Sequence, residues 1–287
     1  MLHGTMARYS QGRELSSDSM RWWLAILLLV CGARAQAQRS FDVAFCDVEN
    51  LYDTIPSSSY DDSDYTPRGR LRWDTVRYSQ KIKDVARLLD SLSLPVVALW
   101  GIENEQVVRD IANQTKGDYA YIHRTHDYSD GLDFALFYYG DRFFPERVTP
   151  WRGALCVEGR ADGRDVAIVV NHRSTSLGVL ISECGLNDNG RVVIVLGIPS
   201  QNNISSFGLQ DHALEAERAG RGTSYRGSGW EMLSRIASSW GGEVRCDVYA
   251  ARWLLDERGG VRPTYKGGRY YGGVSSSLPI FAQFFHY

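Results

Sequence analysis

Phe41-Asp42-Val43-Ala44-Phe45-Cys46-Asp47-Val48-Glu49-Asn50-Leu51-Tyr52-Asp53 is the stretch on which the fold turns. Its first eight residues alternate in the period-2 manner of a strand with one face in a core, and the polar Asp53–Arg70 loop follows. Thr75–Leu92 then places Tyr78, Ile82, Val85, Leu88, Leu89 and Leu92 on one helical face. Pro95 ends that helix, and Val96–Trp100 is a buried strand. Glu103–Ala112 suits a second helix with Val107, Val108 and Ile111 inward. Further strands are expected at Asp133–Tyr139, Ala154–Val157, Asp165–Val170, Val192–Leu196, Asp247–Ala251 and Ile280–Phe284. Trp230–Trp240 fits a helix by periodicity, and a strand is the alternative. Helices alternate with strands early and strands dominate later, which favours two packed sheets over one parallel sheet.

Before this block, Arg21 precedes an apolar run, Trp22–Val30, and the small-residue options Ala33-Arg34-Ala35 and Ala35-Gln36-Ala37. That order is a secretory signal, so residues 1–37 are expected to be removed and the protein exported to the periplasm or medium. Met20 is an alternative start. The run is too short to span a bilayer, and Val30 before Cys31 fits poorly with lipoprotein processing. Residues 38–287 then form a single domain.

The chain has 287 residues. Removing Arg8, Arg13, Arg21 and Arg34 takes Lys plus Arg from 32 to 28, and removing Glu14 and Asp18 takes Asp plus Glu from 34 to 32. The resulting net charge of −4 does not support non-specific nucleic-acid binding. Cys46, Cys156, Cys184 and Cys246 permit two disulfides in an exported protein, with the pairing open; alternatively Cys46 and Cys156 are buried thiols in apolar strands. No C-x-x-C occurs, which argues against zinc.

Five segments in order resemble the endonuclease/exonuclease/phosphatase family, with its deoxyribonuclease-I-like fold. The opening stretch resembles the N-V-E-N-L-F-D start of exported bacterial members. Asp64-Tyr65-Thr66-Pro67 with Gly69 and Trp73 is similar to the D-x-F-T-P-x-G loop, and Gly131–Leu136 to the G-I-D-V-A-L strand. Asn171-His172 is similar to the N-H loop, and Arg269–Gly273 leads into the position of S-D-H-L-P. The resemblance implies an α/β four-layer α-β-β-α sandwich of two mixed sheets, with catalytic groups on strand ends at one rim. It implies phosphodiester cleavage with Mg²⁺ or Mn²⁺ held by carboxylates.

Position by position, the family's groups are mostly absent. Asp47 stands at a metal-side asparagine and could still bind a cation. Gly101 replaces the metal-binding glutamate of L-Q-E; Glu103, two residues on, is a substitute ligand candidate. Ile198 and Ser200 replace the aspartate and asparagine of G-D-F-N, and Ser234 stands at an expected aspartate. Ser276 and Ser277 replace the terminal aspartate and histidine. A serine hydroxyl cannot take a proton from water as a histidine can. His172 survives, with Asp133 as an orienting carboxylate, although a structural histidine is the plainer alternative.

The expectation is a catalytically degenerate exported domain with no cofactor, monomeric, keeping a ligand cleft. The alternative is an active phosphodiesterase or nuclease, dependent on Mg or Mn, with a relocated metal site. Arg258, Arg262, Lys266 and Arg269, interleaved with Tyr265, Tyr270 and Tyr271, suit a phosphate-bearing ligand. Arg226 and Arg235 near Trp230 extend that set. Asp61, Asp62 and Asp64 are expected to be a solvated loop.

Overall fold

A computed structural model describes residues 40–125, 130–151, 153–171, 178, 180–181, 190–197, 204–227 and 229–285. The opening stretch is strand β1 (Ser40–Leu51), followed by α1 (Thr75–Leu92), β2 (Val96–Ile102) and α2 (Glu105–Ala112). Next come β3 (Ala120–His123), β4 (Asp133–Tyr138), β5 (Phe143–Trp151), β6 (Ala154–Ala161), β7 (Arg164–Asn171) and β8 (Val192–Gly197). Then follow β9 (Gln210–Asp211), α3 (Leu214–Arg218), β10 (Ser224–Tyr225), β11 (Trp230–Glu231), β12 (Arg235–Ser238) and β13 (Val244–Val248). β14 (Tyr265–Lys266), β15 (Arg269–Tyr270) and β16 (Ile280–Phe285) complete the described chain.

The strands form two six-stranded mixed sheets, ordered β13-β16-β1-β2-β4-β3 and β5-β6-β7-β8-β12-β9. Parallel pairs lie at the centres, β1 with β2 and β7 with β8, and the flanking pairs are antiparallel. The alternation along β1 decides how they stack. Phe41, Val43 and Phe45 enter the core between the sheets with Leu155, Ile168 and Leu196. Ala44, Cys46 and Val48 face the other way, onto Ile82, Val85 and Leu89 of α1 and Val107 and Ile111 of α2. A third apolar cluster, including Val169, Val195, Leu180 and Ile181, covers the far side of the second sheet. The result is the α/β sandwich of two mixed sheets that the resemblance implies.

Local chemistry fixes the ends of these elements. The Asp74 side chain accepts the Arg77 amide to start α1, and Ser93, with φ 48°, ends it before Pro95. Asn104 accepts the Val107 amide, so α2 starts at Glu105 and Glu103 lies outside it.

Several expectations change. Of the two readings of Trp230–Trp240, the strand holds and the helix does not: the segment contributes β11 and β12. The strand expected at Asp247–Ala251 lies earlier, because Val244 pairs opposite Phe284 and Val248 opposite Ile280. β5 has no clean sequence signal because it carries Pro145 and Pro150, which a sheet-edge position tolerates. Asp62 is not solvated: it is buried and accepts the Ser57 amide at 3.1 Å. Among the described residues no disulfide joins the cysteines. Cys46 and Cys156 are buried in separate apolar clusters, burial pushes the Cys46 and Cys246 thiols up, and Cys184 lies outside the described residues. No helix among the described residues is long and apolar enough to cross a membrane.

Candidate functional site

The parallel centres of the two sheets end at a common rim. Gly197 closes β8 opposite Asn171 of β7 and opposite Arg235 of β12. A Cβ on Gly197 would lie 2.1 Å from the Asn171 carbonyl oxygen and 3.3 Å from the Phe45 ring of the other sheet. With φ 120° it is a position for glycine alone. The end of β8 is therefore drawn against the end of β1, where Asp47 follows Phe45 by two residues.

At that end, β1 bulges. Asp47 pairs with Trp100 but Leu51 with Ile102, so Val48–Asn50 oppose Gly101 alone. Glu49 and Asn50 both take left-handed backbone at φ 50°, and Gly101 takes φ 91°. The Glu49 amide donates to Asp47 Oδ1 at 2.9 Å. A Cβ at Gly101 would sit 3.2 Å from the Asn50 nitrogen, 3.5 Å from that of Glu49 and 3.8 Å from Asp47 Oδ1. At Gly101 there is no side-chain oxygen, and the φ of 91° disfavours any residue that would bring one.

Beneath the bulge lies a charged group that the sequence motifs do not single out. Lys81 of α1 is 2% exposed. Its ammonium donates to the Glu49 carbonyl at 2.5 Å and to Thr264 Oγ1 at 2.9 Å. Thr264 in turn donates its amide to Glu49 Oε2 at 3.2 Å and its hydroxyl to the Gly273 carbonyl at 2.9 Å. Glu49 also accepts from the Ser276 backbone. Burial lowers the Lys81 pKa to about 8, while the negative charges of Glu49 and Asp47 oppose the fall. Burial raises the Glu49 pKa, and Lys81 is the largest opposing influence. The one available sequence signal was a lysine among apolar residues, three after Tyr78 and four before Val85 on the buried face of α1.

The serine replacements hold the rim together. Ser277 Oγ donates to the Thr223 carbonyl at 3.2 Å, and its amide donates to Ser275 Oγ at 3.1 Å. Thr223 Oγ1 accepts the amides of Leu233 and Ser234 at 3.1 and 3.2 Å. Ser277 and Ser234, far apart in sequence, therefore meet through one threonine. Ser276 is exposed beside them.

Glu103 already has a structural task. Oε2 accepts the Asp53 amide at 2.6 Å and Oε1 accepts the Tyr60 hydroxyl at 2.8 Å, fastening the 53–60 loop. Burial raises its pKa to about 7 against the opposing effect of these hydrogen bonds. Asp133 is buried at the start of β4, opposite Ile102. His172, Ile198 and Ser200 lie outside the described residues. Among the described residues no group of three His, Cys, Asp or Glu side chains is placed to hold a metal. Among the described residues Asp47 is the one position matched to the family's metal side that carries a carboxylate, a donor set that does not by itself fit the family's cation.

Aromatic and basic groups border the rim. Ser224 bridges to Ser277, which sets exposed Tyr225 beside the serine loop, with Trp230 edge-on at 5.4 Å. Arg226 pairs with Glu231, and Arg262 donates to the Gly272 carbonyl. Arg269 lies 5.5 Å from the Tyr271 ring centre. Arg258 and Lys266 have no ion-pair partner among the described residues. Arg235 does not join this set. It is buried, with Nη1 2.7 Å from Asp211 and Nη2 2.7 Å from Glu217. Tyr265 and Tyr270 pack inward with Trp73 and Tyr65, leaving Tyr271 as the exposed tyrosine of that hairpin.

This architecture and rim define a class. Residues 42–182 match the model of a family described as the Endonuclease/Exonuclease/phosphatase family. That match covers just under half of the chain. Its fold is similar to that of TDP2 from D. rerio, humanized by 14 mutations, at a TM-score of 0.57 and 12% identity over 86% of this chain and 99% of that one. It is similar to an endonuclease/exonuclease/phosphatase from Bacteroides vulgatus at 0.56 and 13%, over 86% and 98%. A family member from Leptotrichia buccalis C-1013-b gives 0.54 and 13%, over 86% and 100%. At these identities the likeness is one of fold. No curated protein matches the chain.

Proposed function

We propose that this chain is an exported, catalytically degenerate member of its family that keeps the rim as a cleft for a phosphate-bearing ligand. The observation that carries the proposal is Gly101, whose φ of 91° strains any residue with a Cβ and whose Cβ would sit tight against the Asn50 nitrogen at 3.2 Å, disfavouring the missing glutamate. Metal-assisted phosphodiester cleavage needs a cation to neutralise phosphate charge and a group to activate water. Serines 276 and 277 supply neither, and the Ser277 hydroxyl is bonded into the Thr223 turn. A relocated metal site is the competing reading. Its first candidate, Glu103, accepts one hydrogen bond on each oxygen, from Asp53 and Tyr60, which aims it at the 53–60 loop. Tyr225, Trp230 and Tyr271 offer faces for stacking, and Arg258 and Lys266 offer charge for a phosphate. The domain acts as a monomer without a cofactor.

The test is hydrolysis of a chromogenic phosphodiester, single-stranded DNA and RNA by the purified domain in Mg²⁺ or Mn²⁺. Rates at the uncatalysed background are expected. Metal-dependent turnover that His172→Ala abolishes would replace this reading with that of an active enzyme.

A further inference from the structure

We infer that Lys81 serves as the built-in cation of the rim, and that its ammonium, alongside the missing carboxylate, keeps divalent metal ions out. The inference rests on the degenerate reading of the site and explains how that state is held. Asp47 and Glu49 are two carboxylates two residues apart, coupled through the Glu49 amide on Asp47 Oδ1. Each raises the energy of the other's charge, and at this half-buried position such a pair is eased by a positive partner. An oxygen-loving divalent cation is one such partner, since one or two carboxylates suffice to anchor Mg²⁺ or Mn²⁺.

Here the partner is covalently attached. Lys81 reaches the Glu49 carbonyl and Thr264, and Thr264 holds the Glu49 carboxylate by its amide. The lysine and Glu49 thus share a neighbour, and their charges oppose each other's desolvation. Ser276 completes the arrangement by donating its backbone N–H to Glu49, so the serine loop is fastened to the same carboxylate. A divalent ion approaching Asp47 and Glu49 would meet the fixed positive charge of buried Lys81.

The experiment removes the charge and keeps the volume. Wild type, Lys81→Met and the double variant Lys81→Met/Glu49→Gln are titrated with Mn²⁺ by calorimetry and by the loss of its free-ion electron paramagnetic resonance signal. Wild type is expected to show no saturable binding below about 1 mM, within the range where weak oxygen sites titrate. Lys81→Met is expected to bind at least ten-fold more tightly, with a thermal midpoint that rises with Mn²⁺. The double variant is expected to return to the wild-type response.

Saturable sub-millimolar binding by wild type would overturn the inference, as would a folded Lys81→Met that binds no better than wild type. If Lys81→Met does not fold alone, the inference requires that Mn²⁺ restore its folded circular dichroism. Failure of that rescue also overturns it. These outcomes are separable from the hydrolysis test: background hydrolysis with a negative Lys81→Met titration removes this inference and leaves the degenerate reading standing.

Discussion

Replacing Gly101 by glutamate restores the one residue whose loss is chemically most damaging, and the structure predicts that it fails on two counts. The first is backbone. Gly101 has φ 91°, where an L-residue is strained by about 1–3 kcal/mol. Its Cβ would press within 3.2 Å of the Asn50 nitrogen, a backbone atom of the already strained Glu49–Asn50 pair. The second is charge. The new Cβ would start 3.8 Å from Asp47 Oδ1. Two carboxylates about 5 Å apart at an effective dielectric of about 20 repel by about 3 kcal/mol. Lys81 offsets part of that repulsion, but two of its three donors are already held by Glu49 and Thr264. The total is a loss of about 2–5 kcal/mol, or a melting point lower by about 5–15 °C for a domain of this size. Urea denaturation of wild type, Gly101→Ala and Gly101→Glu separates the terms, the alanine reporting backbone alone at about 1–3 kcal/mol. Phosphodiester hydrolysis by the glutamate variant should stay at background. A Gly101→Glu protein as stable as wild type, or one that turns over substrate in Mn²⁺, would refute the reasoning.

Three further outcomes are expected. Glu103 has its pKa raised from 4.5 to about 7, so the folded state binds its proton more tightly than the unfolded chain. Its stabilising contribution is therefore complete below about pH 4.5 and lost as pH rises through about 7. Denaturation midpoints of Glu103→Gln against wild type across pH 4–8 should show that the variant lacks this decline; parallel profiles would exclude it. Arg235→Ala leaves Asp211 and Glu217 without their shared buried cation and should cost about 3–5 kcal/mol by urea denaturation, with a loss under about 1 kcal/mol counting against the burial argument. On the proposed export, mass spectrometry of the mature protein should find it starting after Ala35 or Ala37; recovery with Trp22–Val30 attached would exclude cleavage there.

The sequence by itself determined which faces pack. Alternation in β1 gives Phe41, Val43 and Phe45 to one core and Ala44, Cys46 and Val48 to the other. The helical period of 75–92 and the polar cap at Asp74 delimit α1. These are local rules, because the backbone period settles which side a residue faces whatever lies there. The chemical losses at Gly101, Ser276 and Ser277 were legible for the same reason: the identity of a side chain limits its chemistry wherever it sits. What lies beside a residue was not legible. Glu103 looked like a spare ligand until the 53–60 loop folded over it, and Arg235 like a ligand-binding cation until Asp211 and Glu217 closed around it. Lys81 and Thr264 are 183 residues apart, and only the packing of α1 under the β1 bulge brings them together. Burial and neighbouring charge set the state of each of these groups, and both are properties of the assembled chain, so only the tertiary structure decided them.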